Sequence, residues 1–391
     1  MSDRLLRVTS LSRKLRAARP VNADGIAGTI HRALSSAGGD TQSGQVSGIA
    51  RTIEKALSAA GLIQRHTGAP AVIEGVSVRL KPEASPVPSR GGKVVNRSFT
   101  NDAGTRNYQL YIPGNYSAVS GDEVPMIVML HGCTQSPDDF AAGTQMNALA
   151  EQYGFVVVYP AQAANANGSK CWNWFRAEDQ RRDSGEPSLI AGLTQEVASL
   201  YRIDRRRIFV AGLSAGAAMA VILGVTYPEL YAAVGAHSGL PYAAAHDVSS
   251  AFSAMKSGGA PAGLSSRFSR PRAPVPDAGP GVPTIVFHGD ADSTVAARNG
   301  AAIVESTIAA TDQQNLRTST HRGVASGGRT YSRTVYADAA NDAIIEHWVL
   351  HGAGHAWSGG SDSGSYTDPS GPDASAEMIR FFYAQKRAGG A

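Results

Sequence analysis

Arg207-Ile208-Phe209-Val210-Ala211-Gly212-Leu213-Ser214-Ala215-Gly216-Ala217-Ala218-Met219-Ala220-Val221-Ile222 is the stretch whose reading decides the fold. It opens as a short β-branched and aromatic run, passes through Gly-Leu-Ser-Ala-Gly, and ends apolar and alanine-rich with helix-forming composition. That is strand, sharp turn, helix, with a serine at the turn. A serine hydroxyl is a poor nucleophile. An elbow of this kind lifts its oxygen clear of the sheet towards a base, while the next backbone N–H points at the same spot. Gly212 and Gly216 fit because a side chain at either place meets the neighbouring strand or helix. With 43 glycines in 391 residues, a random chain of this composition contains G-x-S-x-G roughly 0.4 times. The pattern alone therefore decides nothing; its position between strand and helix does. The competing reading is a glycine-flanked serine capping a core helix.

Outward from the elbow, short apolar strands alternate with helical segments. Val124 to Leu130, Phe155 to Tyr159, Ile208 to Ala211, Ala232 to Ala236, Thr284 to Phe287 and Ile345 to Leu350 read as buried strands, and Phe140 to Tyr153 as a helix. Alternation of this kind predicts a mostly parallel central sheet with helices on both faces. Val94 to Phe99 and Arg106 to Ile112, around Asn101-Asp102-Ala103-Gly104, read as a β-hairpin. Residues 241–281, rich in Pro, Ala, Ser and Gly, read as an excursion over the site or a mobile loop.

Residues 1–90 differ from the rest. Gly25-Ile26-Ala27-Gly28-Thr29-Ile30-His31-Arg32-Ala33-Leu34-Ser35-Ser36-Ala37-Gly38 returns as Gly48-Ile49-Ala50-Arg51-Thr52-Ile53-Glu54-Lys55-Ala56-Leu57-Ser58-Ala59-Ala60-Gly61. Each copy spaces its apolar residues as a short amphipathic helix that stops at glycine. A Pro/Ser/Gly linker follows from Lys81 to Gly92. The domain expectation is thus an N-terminal helical extension, 1–90, and a catalytic α/β domain, 91–391.

Hydrophobic residues make up 42% and charged residues 17%, which suits a buried core. The net charge of +4 gathers largely in the first twenty residues (Arg4, Arg7, Arg13, Lys14, Arg16, Arg19), which speaks against a nucleic-acid surface spread along the chain. No apolar run is long enough to span a bilayer, and the N-terminus lacks the apolar core of a secretory signal. The expectation is a cytoplasmic or granule-associated protein, with an extracellular one as the alternative. The two cysteines, Cys133 and Cys171, lack zinc-site spacing. They leave two alternatives: one bridge, credited with roughly 3–4 kcal/mol by the chain-entropy model, or two buried thiols.

An elbow serine needs a base, an orienting carboxylate and an oxyanion hole. The strand Thr284 to Phe287 runs into His288-Gly289-Asp290-Ala291-Asp292, where two acids compete. The strand Ile345 to Leu350 runs into His351-Gly352-Ala353-Gly354-His355. His355 lies in a small-residue loop from which an imidazole can swing towards the serine. His351, nearer the strand end, reads as buried structure. The turn His131-Gly132-Cys133 follows an early strand, so that its N–H groups can join that of Ala215 around a developing negative charge. His131 itself reads as a loop hydrogen-bonder.

Taken together, Leu130-His131-Gly132-Cys133-Thr134-Gln135, Cys171-Trp172-Asn173-Trp174-Phe175, Gly212-Leu213-Ser214-Ala215-Gly216-Ala217, His288-Gly289-Asp290-Ala291-Asp292, Gly354-His355-Ala356-Trp357-Ser358-Gly359-Gly360 and Gly371-Pro372-Asp373-Ala374 resemble the esterase family of polyhydroxybutyrate depolymerases. The likeness is to the type 1 catalytic domain acting on short-chain polyhydroxyalkanoates, and it covers about residues 93–385. It implies an α/β-hydrolase fold with Ser214 as nucleophile, Asp292 as orienting acid and His355 as base. It also implies Cys133 and Ala215 as oxyanion donors, and Trp172, Trp174 and Trp357 as a groove gripping a polyester chain or hydroxyalkanoate oligomer, with ordinary core packing as the other reading of each tryptophan. A Cys133–Cys171 bridge would tie the oxyanion loop to the tryptophan segment. The implied reaction calls for no metal or organic cofactor. The family also holds feruloyl and acetylxylan esterases. The basic N-terminal repeat resembles the arrangement of intracellular members, which suggests that 1–90 meets a hydrophobic granule surface. A non-catalytic granule-surface protein is the rival from another class.

Overall fold

The computed structural model describes residues 91–117, 121–258, 281–311 and 316–385. The helical repeats, the linker and the domain boundary expected around residues 1–90 lie outside them. A ten-stranded sheet runs in the order β1-β2-β4-β3-β5-β6-β7-β10-β9-β8. Its strands are β1 (Lys93–Asn101), β2 (Gly104–Ile112), β3 (Val124–Leu130), β4 (Val156–Pro160), β5 (Ile203–Leu213), β6 (Ala233–His237), β7 (Thr284–Gly289), β8 (Arg317–Val324), β9 (Thr330–Ala337) and β10 (Ala343–Leu350). The six from β4 to β10 pair in parallel, while the β1–β2 hairpin and the β9–β8 ribbon close the two flanks antiparallel. A two-residue pair, β11 (Trp357–Ser358) with β12 (Thr367–Asp368), stands apart.

The parallel strands read as apolar runs because both their faces are covered. Met126, Val128 and Leu130 face one core, and Ile127 and Met129 the other. On the first face pack α3 (Gly185–Leu200), α4 (Ala215–Thr226), α5 (Val248–Ser257) and α6 (Arg298–Ala310). On the second pack α1 (Pro137–Thr144), α2 (Met146–Tyr153) and α7 (Ala374–Ala384). Each fully buried Leu, Ile, Val or Phe here contributes about 1.5–3 kcal/mol. This is an α/β-hydrolase fold.

Two local readings need correcting. The helix expected over 140–153 is two helices. α1 begins one turn earlier, capped by Ser136, whose Oγ accepts from Asp139 N at 3.2 Å, with Pro137 in its first turn. It stops where Gln145 turns left-handed at φ 55°. The excursion over 241–281 contains α5, begun by a capping box between Asp247 and Ser250; residues 259–280 lie outside the described set. Register places the C-terminal ends of the inner strands in one row: Leu130 beside Gly212, Leu213 beside His237, His237 beside Phe287, and Leu350 beside Gly289. The loops that follow β3, β5, β7 and β10 therefore open at one edge of the sheet, where α/β folds carry their ligands. A polar cavity of about 490 Å3, lined by Glu123, Tyr201, Arg202, Asp204, Arg205 and Arg206, lies at the opposite edge, by the start of β5.

Candidate active site

Ser214 stands between β5 and α4 with φ 58° and ψ −119°, a backbone conformation that costs a side-chain-bearing residue about 1–3 kcal/mol. Its surroundings over-determine the turn. Its N–H donates to His237 O at 2.9 Å, and its carbonyl accepts from Ala218 N at 3.0 Å to open the helix. Ten apolar side chains and glycines of α4 are buried along with Thr226, so the helix is fixed on the sheet by burial all round. A Cβ on Gly216 would lie 2.1 Å from Leu130 O and 2.6 Å from His131 O, and one on Gly212 would lie 2.5 Å from Gly216 C. These contacts are backbone on backbone, so nothing can swing aside. Gly216→Ala is expected to destabilise the protein by about 3 kcal/mol, read as a lower melting temperature. Gly354→Ala, which meets nothing within 4 Å, should leave stability unchanged. Equal melting of the two variants would contradict this account of the elbow.

Asp292 and His355 meet. Asp292 Oδ2 accepts from His355 Nδ1 at 2.7 Å, and Asp292 Oδ1 accepts from Thr294 N and Val295 N, both at 2.9 Å. Burial pushes this carboxyl up, but the His355 and Val295 donors outweigh it and hold the group below its ordinary range. An ionised carboxylate only accepts, so Nδ1 carries the imidazole proton and Nε2 keeps a free lone pair. The side chain of His355 is 13% exposed. Ser214 is half-buried, and its hydroxyl has no hydrogen-bond partner among the described residues. Ser214 and the His355 imidazole are thus not hydrogen-bonded to each other.

The competing acid and histidine also pair, one layer out. Asp290 Oδ2 accepts from His351 Nδ1 at 2.8 Å, and His351 Nε2 lies 2.8 Å from Ser332 Oγ. His351 is half-exposed rather than buried, because the loop after β10 turns it outward onto β9. Ser332 lies mid-strand between Arg322 of β8 and Val349 of β10. The N–H groups around it belong to sheet ladders, and no strained turn presents its oxygen. This second chain of Asp, His and Ser ties β7, β10 and β9 together.

Cys133 N and Ala215 N have no acceptor among the described residues. The loop carrying Cys133 is held from several sides. Gly132 N donates to Gln135 Oε1 at 2.9 Å, Thr134 N to Ser169 O at 2.7 Å, and Trp172 Nε1 to His131 O at 3.0 Å. Thr134 is left-handed at φ 67°. Cys133 and Cys171 form a disulfide, which resolves the two alternatives left by the sequence. His131 Nε2 accepts from Gln162 N at 3.1 Å, so its proton sits on Nδ1, which donates to Gly132 O at 2.7 Å. Burial pushes His131 down to about 4, leaving it a neutral spacer. His237 does similar work from β6: its Nε2 accepts from Ser358 N at 3.0 Å, and burial pushes it down to about 3.

Residues 106–319 of this chain match the family described as esterase PHB depolymerase. The chain belongs to that family. Over 267 residues it is 30% identical to poly(3-hydroxyalkanoate) depolymerase C of Paucimonas lemoignei, covering 66% of this chain and 60% of that protein. Over 143 residues it is 33% identical to a probable acetylxylan esterase A of Aspergillus fumigatus, covering 36% of each. The chain thus spans about three fifths of the first relative's length and about a third of the second's. Among solved structures, the acetyl xylan esterase from Aspergillus awamori superposes with a TM-score of 0.54 at 18% identity, over 75% of this chain and all of that one. At that identity the match speaks for the fold alone.

Within this PHB depolymerase-family domain the tryptophans are not where a polymer groove needs them. Trp172 is 0% and Trp357 1% exposed, their N–H groups spent on His131 O and Ser375 Oγ, and Trp174 is 6% exposed against Phe175. The expected groove is corrected to core packing beneath the site, because each ring is enclosed by its neighbours. Sequence reading also missed a buried polar cluster, Arg106, Gln162, Asn173 and Glu186. An acid in a helix's first turn is an ordinary macrodipole feature, so nothing in the sequence marked Glu186.

Proposed function

We propose that this chain is a serine esterase that cleaves short-chain polyhydroxyalkanoate esters through an acyl-enzyme. One observation carries the reading: a strained serine elbow with a free hydroxyl opens at the same sheet edge as a hydrogen-bonded Asp292–His355 pair. In the proposed first step His355 Nε2 takes the Ser214 hydroxyl proton as the oxygen attacks the ester carbonyl carbon. The carbonyl oxygen, now negative, lies against the N–H groups of Cys133 and Ala215. The intermediate collapses, the C–O bond to the leaving hydroxyacyl alcohol breaks, and His355 returns the proton to that alcohol. Water then enters by the same route: His355 deprotonates it, the acyl carbon is attacked, and Ser214 leaves reprotonated. Asp292 keeps the imidazole in the tautomer that can accept.

The substrate class rests on the family and on the depolymerase relative. A second reading, an esterase for acetyl or feruloyl groups of plant-wall polysaccharide, is favoured by the identity to an acetylxylan esterase. The two separate in one assay of the purified full-length protein against amorphous polyhydroxybutyrate, a soluble 3-hydroxybutyrate dimer ester, acetylated xylan and an aryl ferulate. Release of 3-hydroxybutyrate at least about tenfold faster per enzyme than acetate or ferulate is the expected result, equivalent to 1.4 kcal/mol of preference. The reverse order would replace the polyester with the polysaccharide ester.

A further inference from the structure

Glu186 lies in the first turn of α3, with its side chain 5% exposed. Its own backbone N–H donates to Asp179 Oδ1 at 2.7 Å, while every partner of its carboxylate is a donor. Its Oε1 accepts from Gln162 Nε2, from Asn173 Nδ2 at 2.9 Å and from Arg106 at 3.5 Å, and its Oε2 accepts from Asn173 N at 2.7 Å. Burial pushes the Glu186 carboxyl up; the four donors, with no hydroxyl among them, act against that and favour the carboxylate. The counter-charge is Arg106 of β2, which is equally buried and lies over the Trp172 ring at 5.7 Å. Burying such a pair is often no better for stability than apolar packing in its place, so stability is weak ground for its presence.

The geometry it fixes leads to the oxyanion loop. Gln162, gripped by Glu186 through its side chain, donates that same amide to Cys171 O at 2.8 Å and its backbone N–H to His131 Nε2 at 3.1 Å. Asn173, gripped at both its backbone and its side chain, sits two residues from Cys171, the bridge partner of Cys133, and follows Trp172, which holds His131 O. Both paths end on residues 131–133. We propose that Glu186 is the positioning residue of the oxyanion hole: its carboxylate clamps residues 162 and 171–173, and through them sets where the Cys133 N–H points. This rests on the reading of Cys133 N–H as an oxyanion donor. Glu186 touches no substrate; it acts through the loop.

Glu186→Gln is nearly isosteric but puts an NH2 where donors already converge, so one side of the clamp must open. In the full-length enzyme kcat for a short-chain p-nitrophenyl ester is expected to fall about 30-fold, with KM held within about twofold. The affinity of an alkylboronic acid, whose tetrahedral adduct on Ser214 needs the same donor, should weaken by a similar factor. Gln162→Met cuts the clamp one link nearer the loop while leaving the Arg106–Glu186 pair in place, and decides the matter if Glu186→Gln does not fold. Glu196→Gln, on the same helix and bonded to Tyr108 Oη at 2.8 Å, is the control for a merely structural carboxylate and should keep wild-type kcat. Parallel loss of kcat and boronate affinity at constant KM supports the proposal. Wild-type kcat in a folded clamp variant, or the same loss in Glu196→Gln, overturns it. Turnover surviving in Ser214→Ala would instead overturn the serine-esterase reading, an outcome seen in a different variant.

Discussion

Ser214→Ala is expected to lower turnover by about 10⁴-fold or more while leaving the melting temperature close to wild type. The size follows from the role: without the oxygen there is no acyl-enzyme, and only oxyanion donors and binding remain to help a direct attack by water. The neutrality towards folding follows from the structure, because Ser214 is half-buried and its hydroxyl has no hydrogen-bond partner among the described residues. Alanine at φ 58° bears strain comparable to that of serine. Turnover of a soluble ester and a thermal melt on the same preparation check both halves. Near-normal esterase activity in the purified variant would remove the nucleophile and the mechanism built on it.

Asp292→Asn is expected to cost nearly as much, about 10⁴-fold in kcat. The two backbone donors at Oδ1, Thr294 N and Val295 N, dictate which way the new amide faces. Its oxygen must stay with them, so its NH2 is turned to His355. The imidazole then accepts at Nδ1 and carries its proton on Nε2, where it can no longer take one from Ser214. Asp290→Asn, which alters the outer Asp290–His351 pair, should cost no more than a few-fold and serves as the comparison. A kcat for Asp292→Asn equal to that of Asp290→Asn would reassign the acid. The pH dependence of folding has a definite sign. The Asp292 carboxyl is held down in the folded state, so its contribution is present above the ordinary carboxylate value of about 3.9 and is lost as pH falls through the lower folded value. The Asn variant should lack that part of the acid sensitivity.

The six inner strands were legible because burial on both faces leaves an unbroken apolar run, as in Val156 to Tyr159, and because each run ends at a glycine or a change of composition. The β8–β9 ribbon was not. Arg317-Thr318-Ser319-Thr320-His321-Arg322 is exposed on both faces, so no alternation records it, and its strand character comes from pairing with β9 alone. The break at Gln145 was equally silent, since nothing in Phe140 to Tyr153 marks a left-handed residue. At the candidate site the elbow and the order of strand ends could be read from the chain. The residues alone left two acids competing, and it was the family resemblance that named Asp292 for His355. Asp290 and Asp292 are two residues apart, and only the turns after β7 and β10 sort them into an outer and an inner pair. The tryptophans left two readings for a related reason, since an aromatic near a motif looks the same whether it lines a groove or packs in the core. Glu186 is visible only once Arg106, Gln162 and Asn173 converge from three distant parts of the chain.

Cys133 occupies two positions at once. Its backbone N–H is one of the two proposed oxyanion donors, and its sulfur is half of the bridge to Cys171. Thiol chemistry in the surroundings therefore reaches the proposed anion-binding donor through a single residue. Where glutathione keeps cysteines reduced, the loop is left to its hydrogen bonds with Trp172, Ser169, Gln135 and Gln162, and the proposed donor loses its covalent anchor.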